Sequence, residues 1–132
     1  MRTFCPKEYV YYKGMCLHKN TAKGTLAQNK EDCARRGGIV LPIKSMGLYE
    51  FIKLHAASIK AGDLYLGMNQ TAGKMLLTDQ TEYTASSFDF NGDNTKFGGL
   101  QCVYLKRGIG FMPRETTCEE IKEAYCLWRS KP

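Results

Sequence analysis

Six cysteines are the residues of this chain most able to do chemistry: Cys5, Cys16, Cys33, Cys102, Cys118 and Cys126. Thiolates bind zinc, attack carbonyls or pair as disulfides, and spacing separates these uses. Successive cysteines lie 11, 17, 69, 16 and 8 positions apart, so no C-x-x-C pair offers a zinc or dithiol redox centre. An even set in a short chain reads as three disulfides formed in an oxidising compartment, with 15 connectivities open on spacing alone. Cysteine catalysis needs a free thiol beside a base, and the framework consumes every cysteine. His18 and His55 are the two histidines, and no G-x-S-x-G, H-E-x-x-H or phosphate-loop motif occurs. Glu119-Glu120 are sequence neighbours beside Cys118 and read as a solvated segment start. An enzyme is therefore not expected.

Oxygen ligands gather in one place, Asp89-x-Asn91-x-Asp93-Asn94. Asp89, Asn91 and Asp93 match the first three ligand positions of a calcium loop of the EF-hand type. The sixth position is Asn94 rather than Gly and the twelfth is Leu100 rather than Glu, so that motif fails. The favoured reading makes these residues turn formers, and a weak or relocated calcium site is the rival. Cationic clusters are Arg35-Arg36, Lys106-Arg107, Arg114 and Arg129-x-Lys131. Asn69-Gln70-Thr71 fits the N-glycosylation acceptor pattern, which agrees with secretion.

These residues sit in a chain of 132, with 19 Lys+Arg against 13 Asp+Glu and a net charge of +6. That length suits one domain spanning 1–132. Hydrophobic residues make up 43% and charged residues 24%, enough for a core and unlike a disordered polyelectrolyte. No apolar run approaches the 18 residues of a membrane-spanning helix, and no leader pattern opens the chain. Met1-Arg2-Thr3 reads as the start of a trimmed chain.

The elements that must position these groups follow from periodicity. Tyr9–Tyr12 and Met15–His18 read as strands around a Lys13-Gly14 turn, within a hairpin region 5–18 whose base Cys5 and Cys16 can staple. Thr25–Arg36 reads as a helix. Thr25 and Gln28 form a capping box, Leu26, Ala27, Cys33 and Ala34 form an apolar stripe, Arg35-Arg36 complement the helix dipole, and Gly37 provides a left-handed stop. A second helix is expected from about Gly47 to Ser58, with Leu48, Phe51, Ile52 and His55 on one face and Gly62 closing the segment. His55 there reads as a packing histidine. Leu64–Met68, Met75–Leu77, Leu100–Leu105 and Tyr125–Arg129 read as strands, and 80–99 as a long loop of functional type. With two helices early and most strands late, the fold class is α+β.

Taken in order, Cys5-Pro6, Tyr12, Cys16, the helix with Cys33, Gly37-Gly38, Leu41-x-Ile43, Phe51-Ile52, Tyr65-Leu66-Gly67-Met68, Cys102-Val103, Cys118 and Cys126 resemble the C-type lectin-like domain. The match is to its long form, with an added N-terminal hairpin. Tyr65-Leu66-Gly67-Met68 stands where the family has Trp-Ile-Gly-Leu. The resemblance covers essentially the whole chain. It implies two helices with small antiparallel sheets, disulfides Cys5–Cys16, Cys33–Cys126 and Cys102–Cys118, and a long loop carrying ligand recognition. It also implies a place to look for calcium. In sugar-binding members a Glu-Pro-Asn or Gln-Pro-Asp triplet, a later Glu and an Asn-Asp pair hold the metal. Here the triplet falls on Gly92-Asp93-Asn94, the later Glu on Leu100, and the Trp-Asn-Asp segment on Pro113-Arg114-Glu115. Only Asn94 and Glu115 keep register, with Asp93 as a substitute, and Arg114 puts a fixed cation where an oxygen ligand is expected. The usual calcium site is expected to be lost.

The expected function is non-catalytic recognition by a secreted protein or the extracellular part of a membrane receptor. The partner is a protein or an anionic, sulfated glycan, met by Asp93, Asn94, Lys106, Arg107, Arg114 and Glu115. No cofactor is required on this reading. No aromatic-basic nucleic-acid motif is present, and no membrane insertion is expected. Two rivals stand: a calcium-dependent lectin with a rearranged site, and an assembly module in which Trp128 and the Tyr-rich hairpin form a homo-oligomer contact.

Overall fold

A computed structural model describes residues 5–84 and 99–129. Strand β1 (Val10–Tyr12) turns through Lys13 and Gly14, both at positive φ, into β2 (Met15–Lys19). Helix α1 (Leu26–Arg35) starts at the capping box expected: Gln28 N donates to Thr25 Oγ1 at 3.2 Å and Thr25 N to Gln28 Oε1 at 2.8 Å. Arg36 caps its other end, and Gly37 follows at φ 82°. Strand β3 (Gly38–Val40) leads to helix α2 (Met46–Ser58), capped by the Ser45 hydroxyl. Then come β4 (Leu64–Thr71), β5 (Lys74–Leu77), β6 (Cys102–Lys106), β7 (Met112–Thr116) and β8 (Glu123–Trp128).

The strand order is β1-β2-β8-β4-β6-β7, with β3 paired to β8 and β5 to β4. The expected small antiparallel sheets are present but not separate. Leu64 and Tyr65 of β4 run parallel to Glu123 and Ala124 of β8, and this junction makes the sheet mixed. The three disulfides follow the pairing that the resemblance implied, with Cα–Cα distances of 5.4, 5.4 and 5.3 Å for Cys5–Cys16, Cys33–Cys126 and Cys102–Cys118.

Several boundaries move for physical reasons. Helix α2 ends at Ile59 with Lys60 in the left-handed region at φ 57°, so Gly62 is not its stop; Gly62 N instead donates to Glu123 Oε1 at 2.9 Å. Its buried face is Leu48, Tyr49, Ile52 and Ala56, with Phe51 and His55 at the margin. In α1 the stripe is narrower than expected, because Ala27 and Ala34 are exposed and Asn29 is buried beside Leu26 and Cys33. Leu100 lies outside β6 and is exposed.

Gly67 explains the strand motif Tyr65-Leu66-Gly67-Met68. A Cβ there would meet Val40 O at 2.2 Å, and the bare backbone lets Gly67 N donate to Leu41 O at 2.9 Å while its carbonyl accepts from Thr78 N at 2.8 Å. The main core gathers α2 against β2, β4, β6 and β8 through Leu17, Tyr49, Ile52, Leu64, Val103 and Leu105. A smaller one surrounds the Cys33–Cys126 bridge. Beside that bridge, Asn20 Nδ2 donates to Asn29 Oδ1 at 3.0 Å, and Asn29 Nδ2 lies 3.0–3.2 Å from the Gly24, Thr25 and Lys122 carbonyls. Paired this way, two buried amides tie α1 to the segment entering the last strand.

Candidate functional site

The β6–β7 hairpin carries the predicted basic residues, and its register decides which of them meet. Leu105 opposes Pro113, Val103 opposes Glu115, Tyr104 opposes Arg114 and Lys106 opposes Met112. Side chains alternate along a strand. Val103, Leu105 and Pro113 are buried, so Tyr104, Lys106, Met112 and Arg114 share the other face. Lys106 and Arg114 are then diagonal cross-strand neighbours, a relation that typically spans about 7–8 Å. Arg107 follows at the tip, where its backbone N–H donates to Asp63 Oδ1 at 2.9 Å and so fixes the turn. Phe111, at φ 59° and buried, plugs the turn from below, with its N–H donating to Lys106 O at 2.8 Å. At the opposite end the Cys102–Cys118 bridge closes the hairpin. Behind it the Tyr65 hydroxyl donates to Glu120 O at 2.5 Å; burial, then the nearby Glu120 and Glu119 charges, push this phenol up to about 12.

Electrostatics then sort the cations. The Lys122 ammonium sits 3.9 Å above the Tyr104 ring and pairs with Glu120 at 2.9 Å and Asp63 at 3.7 Å. Hydrogen bonds from Lys122 and Thr116 hold the Glu120 carboxyl below its usual range. Lys122 is thus compensated. Lys106, Arg107 and Arg114 are exposed, and among the described residues no carboxylate pairs with them; Arg114 Nη1 donates to its neighbour's carbonyl, Pro113 O, at 2.8 Å.

Of the residues in register with the usual calcium set, Leu100, Arg114 and Glu115 are described, and Asp93 and Asn94 are not. Glu115 lies on the face opposite to Arg114, and its carboxylate accepts from Gly99 N at 3.1 Å. Leu100 supplies no oxygen ligand from its side chain. No group of three or more His, Cys, Asp or Glu able to hold a metal occurs among the described residues. Asp89, Asn91, Asp93 and Asn94 lie outside them.

Other sequence candidates have definite places. His55 packs as expected: its Nδ1 is 2.6 Å from Tyr125 Oη, and its ring stacks on Phe51 at 6.1 Å. Burial lowers the imidazole pKa, and it raises the Tyr125 phenol with help from Glu123. Asn69 lies in β4, half-buried, with Nδ2 donating to Thr71 Oγ1 at 3.2 Å and Oδ1 accepting from Lys30 Nζ at 3.2 Å. Tyr12 is spent on a ring contact with Phe51 at 4.6 Å, while Tyr11 is exposed. Trp128 is half-buried on β8 opposite Gly38. Lys30 was missed by sequence reasoning; its i, i+3 and i+4 neighbours give no signal that it faces a strand 39 positions away.

No protein-family profile matches the sequence, and no curated protein matches it at a significant level. Solved structures do match in shape. The C-type lectin domain of murine dendritic cell inhibitory receptor 2, solved in complex with N-glycan, superposes with a TM-score of 0.78 at 22% identity, covering 96% of this chain and 100% of that one. Herring type II antifreeze protein gives 0.75 at 21% identity, over 96% and 100% of the two chains. The carbohydrate-recognition domain of the mouse scavenger receptor C-type lectin gives 0.74 at 17% identity, over 97% and 100%. No helix among the described residues is long and apolar enough to cross a membrane. By its architecture and its three-disulfide framework, this chain has the long-form C-type lectin-like fold.

Proposed function

We propose that the chain is a non-catalytic, extracellular recognition module that binds an anionic partner through the β6–β7 hairpin, without the calcium site of sugar-binding relatives. The observation that carries this reading is the contrast between the hairpin's own cations and Lys122, which precedes β8 and packs over Tyr104 of the hairpin. Lys122 is neutralised by two carboxylates, whereas Lys106, Arg107 and Arg114 stand exposed without one among the described residues. Three uncompensated cations on one rigid ribbon raise the local potential and draw in negative charge, most strongly at low ionic strength. Similar folds include a glycan complex and an antifreeze protein, so the ligand must be argued from side chains rather than from the fold. A sulfated glycan presents closely spaced negative charges to such a ribbon; an acidic protein face is the other partner of this chemistry.

The test is retention of the intact, disulfide-bonded chain on immobilised heparin, in calcium and in chelator. Retention in both, lost at lower salt in a Lys106→Glu/Arg107→Glu/Arg114→Glu variant that melts normally, supports the proposal. Unchanged retention of that variant refutes it. Retention abolished by chelator would establish the calcium-dependent rival instead.

A further inference from the structure

A groove of about 400 Å³ runs between α1 and the strands β3, β4 and β5, with no β6–β7 residue in its lining. That volume falls in the range of small-ligand sites. Its lining has a consistent chemistry. Ile39, Leu76 and the buried Val40 and Leu77 form an apolar floor, while Asn69, Thr71 and Gln80 bring amide and hydroxyl groups to its edge. Among the described residues one cation, Lys30, lines it, and no carboxylate does. Lys30 is exposed overall, and its ammonium donates to a neutral acceptor, Asn69 Oδ1 at 3.2 Å, where desolvation lowers its pKa. A partly desolvated ammonium held by a single amide oxygen gains from a charge-assisted bond to an incoming anion. Ala34, a small residue on the exposed surface of α1, leaves the groove open at that wall.

We propose that this groove is a second binding site, for a sugar residue bearing one negative charge, with Lys30 facing the anion, Asn69, Thr71 and Gln80 meeting hydroxyls, and the Ile39–Leu76 floor meeting the apolar ring face. One cation calls for one charge, which distinguishes this site from the three-cation hairpin. The proposal does not depend on the hairpin reading. The Asn69 amide nitrogen donates to Thr71 and is the atom that an N-glycan would occupy, so a glycan there would crowd the rim.

The test is isothermal titration of the intact chain, with intact mass showing Asn69 unmodified. The probes are methyl glucuronoside, glucose 6-sulfate and neutral methyl glucoside. Saturable binding of either anion, at least about tenfold tighter than the neutral sugar, is expected. Lys30→Gln removes that margin and Lys30→Arg retains most of it. Ala34→Leu, on an exposed helical position, fills the groove and abolishes binding while the melting temperature holds. The hairpin triple variant binds unchanged. Equal binding of the neutral sugar, failure of both anions, an unaffected Lys30→Gln variant, or loss of binding in the hairpin variant would each overturn the proposal.

Discussion

Replacing Asn29 with Ala tests whether the buried amide pair holds α1 against the end of the sheet. Both Asn20 and Asn29 are about 1% exposed. The three carbonyls near Asn29 Nδ2 keep backbone donors: Gly24 O accepts from Lys122 N at 2.9 Å, Lys122 O from Gly24 N at 2.9 Å, and Thr25 O from Asn29 N at 3.0 Å. Truncation therefore orphans one group, Asn20 Nδ2, whose remaining contact is Cys33 Sγ at 3.8 Å. A buried donor without an acceptor costs about 1–3 kcal/mol, and the void left by the carboxamide adds about 1 kcal/mol. A loss of about 2–4 kcal/mol follows, or about 8–16 °C in melting temperature at about 4 °C per kcal/mol. Urea unfolding with disulfides intact measures it, provided two optical probes give coincident transitions. Gln28→Ala, on the exposed side of the same helix, is the control and loses about 1 kcal/mol or less. In a double-mutant cycle with Asn20→Ala, the second truncation costs less than the first, since the orphan is already gone. A loss below about 0.5 kcal/mol, or strictly additive single variants, would refute the reasoning.

Gly67→Ala forces a methyl group to within 2.2 Å of Val40 O, a backbone atom with little freedom, and is expected to destabilise by about 3 kcal/mol, read by thermal melting. Removing the Cys33–Cys126 bridge with two alanines frees a separation of 93 residues, and loop-closure entropy puts the loss at about 4–5 kcal/mol, read by denaturant titration. Although burial opposes it, hydrogen bonds from Lys44 and Thr81 hold the Asp79 carboxyl down to about 2. Its folded pKa lies below its unfolded value, so its stabilisation is present above about pH 4 and lost as pH falls towards 2; Asp79→Asn flattens the stability profile in that window, read by unfolding at stepped pH.

The sequence made α1 legible because local chemistry marks both its ends, Thr25 with Gln28 at one and Gly37 at the other. It made β4 legible as far as Met68, where the apolar run stops; Asn69, Gln70 and Thr71 continue the strand only because β5 folds back on them and Gln101 O accepts from Gln70 N. Strand β7 was hidden. Its Pro113 sits among Arg114 and Glu115, and the alternation becomes visible only when Val103 and Leu105 supply the opposing buried face. Strand β3, three residues long, depends wholly on its pairing with β8. The same holds for the sites. Lys106 and Arg114 could be named as basic, but their shared face follows from register, and Glu115 turns away from Arg114 despite being its neighbour. The Asn20–Asn29 pair and the Lys30 groove needed the fold, because both join positions that no local pattern relates.

On the proposed reading, the pairing of charges, rather than net charge, selects where an anion would bind. Carboxylates of the described framework hold Lys19 against Glu123, Lys44 against Asp79, Lys53 against Glu50, Arg35 against Asp32, and Lys122 against Asp63 and Glu120. The exposed ones among them, Arg35–Asp32 and Lys44–Asp79, add little to stability, yet each pair, exposed or buried, cancels a field that would otherwise attract anions indiscriminately. What is left after this cancellation is unevenly placed. Lys7, Lys23, Lys60 and Lys74 stand on separate turns and strand ends, where a lone solvated ammonium binds nothing tightly. Lys106, Arg107 and Arg114 share one disulfide-closed ribbon, and Lys30 lines a groove that no carboxylate of the described residues lines. Among the described residues, the hairpin and the α1 groove are two places where uncompensated positive charge is held on regular elements, strands in one and a helix in the other, and there a bound anion would recover in electrostatic attraction what it loses in hydration and mobility.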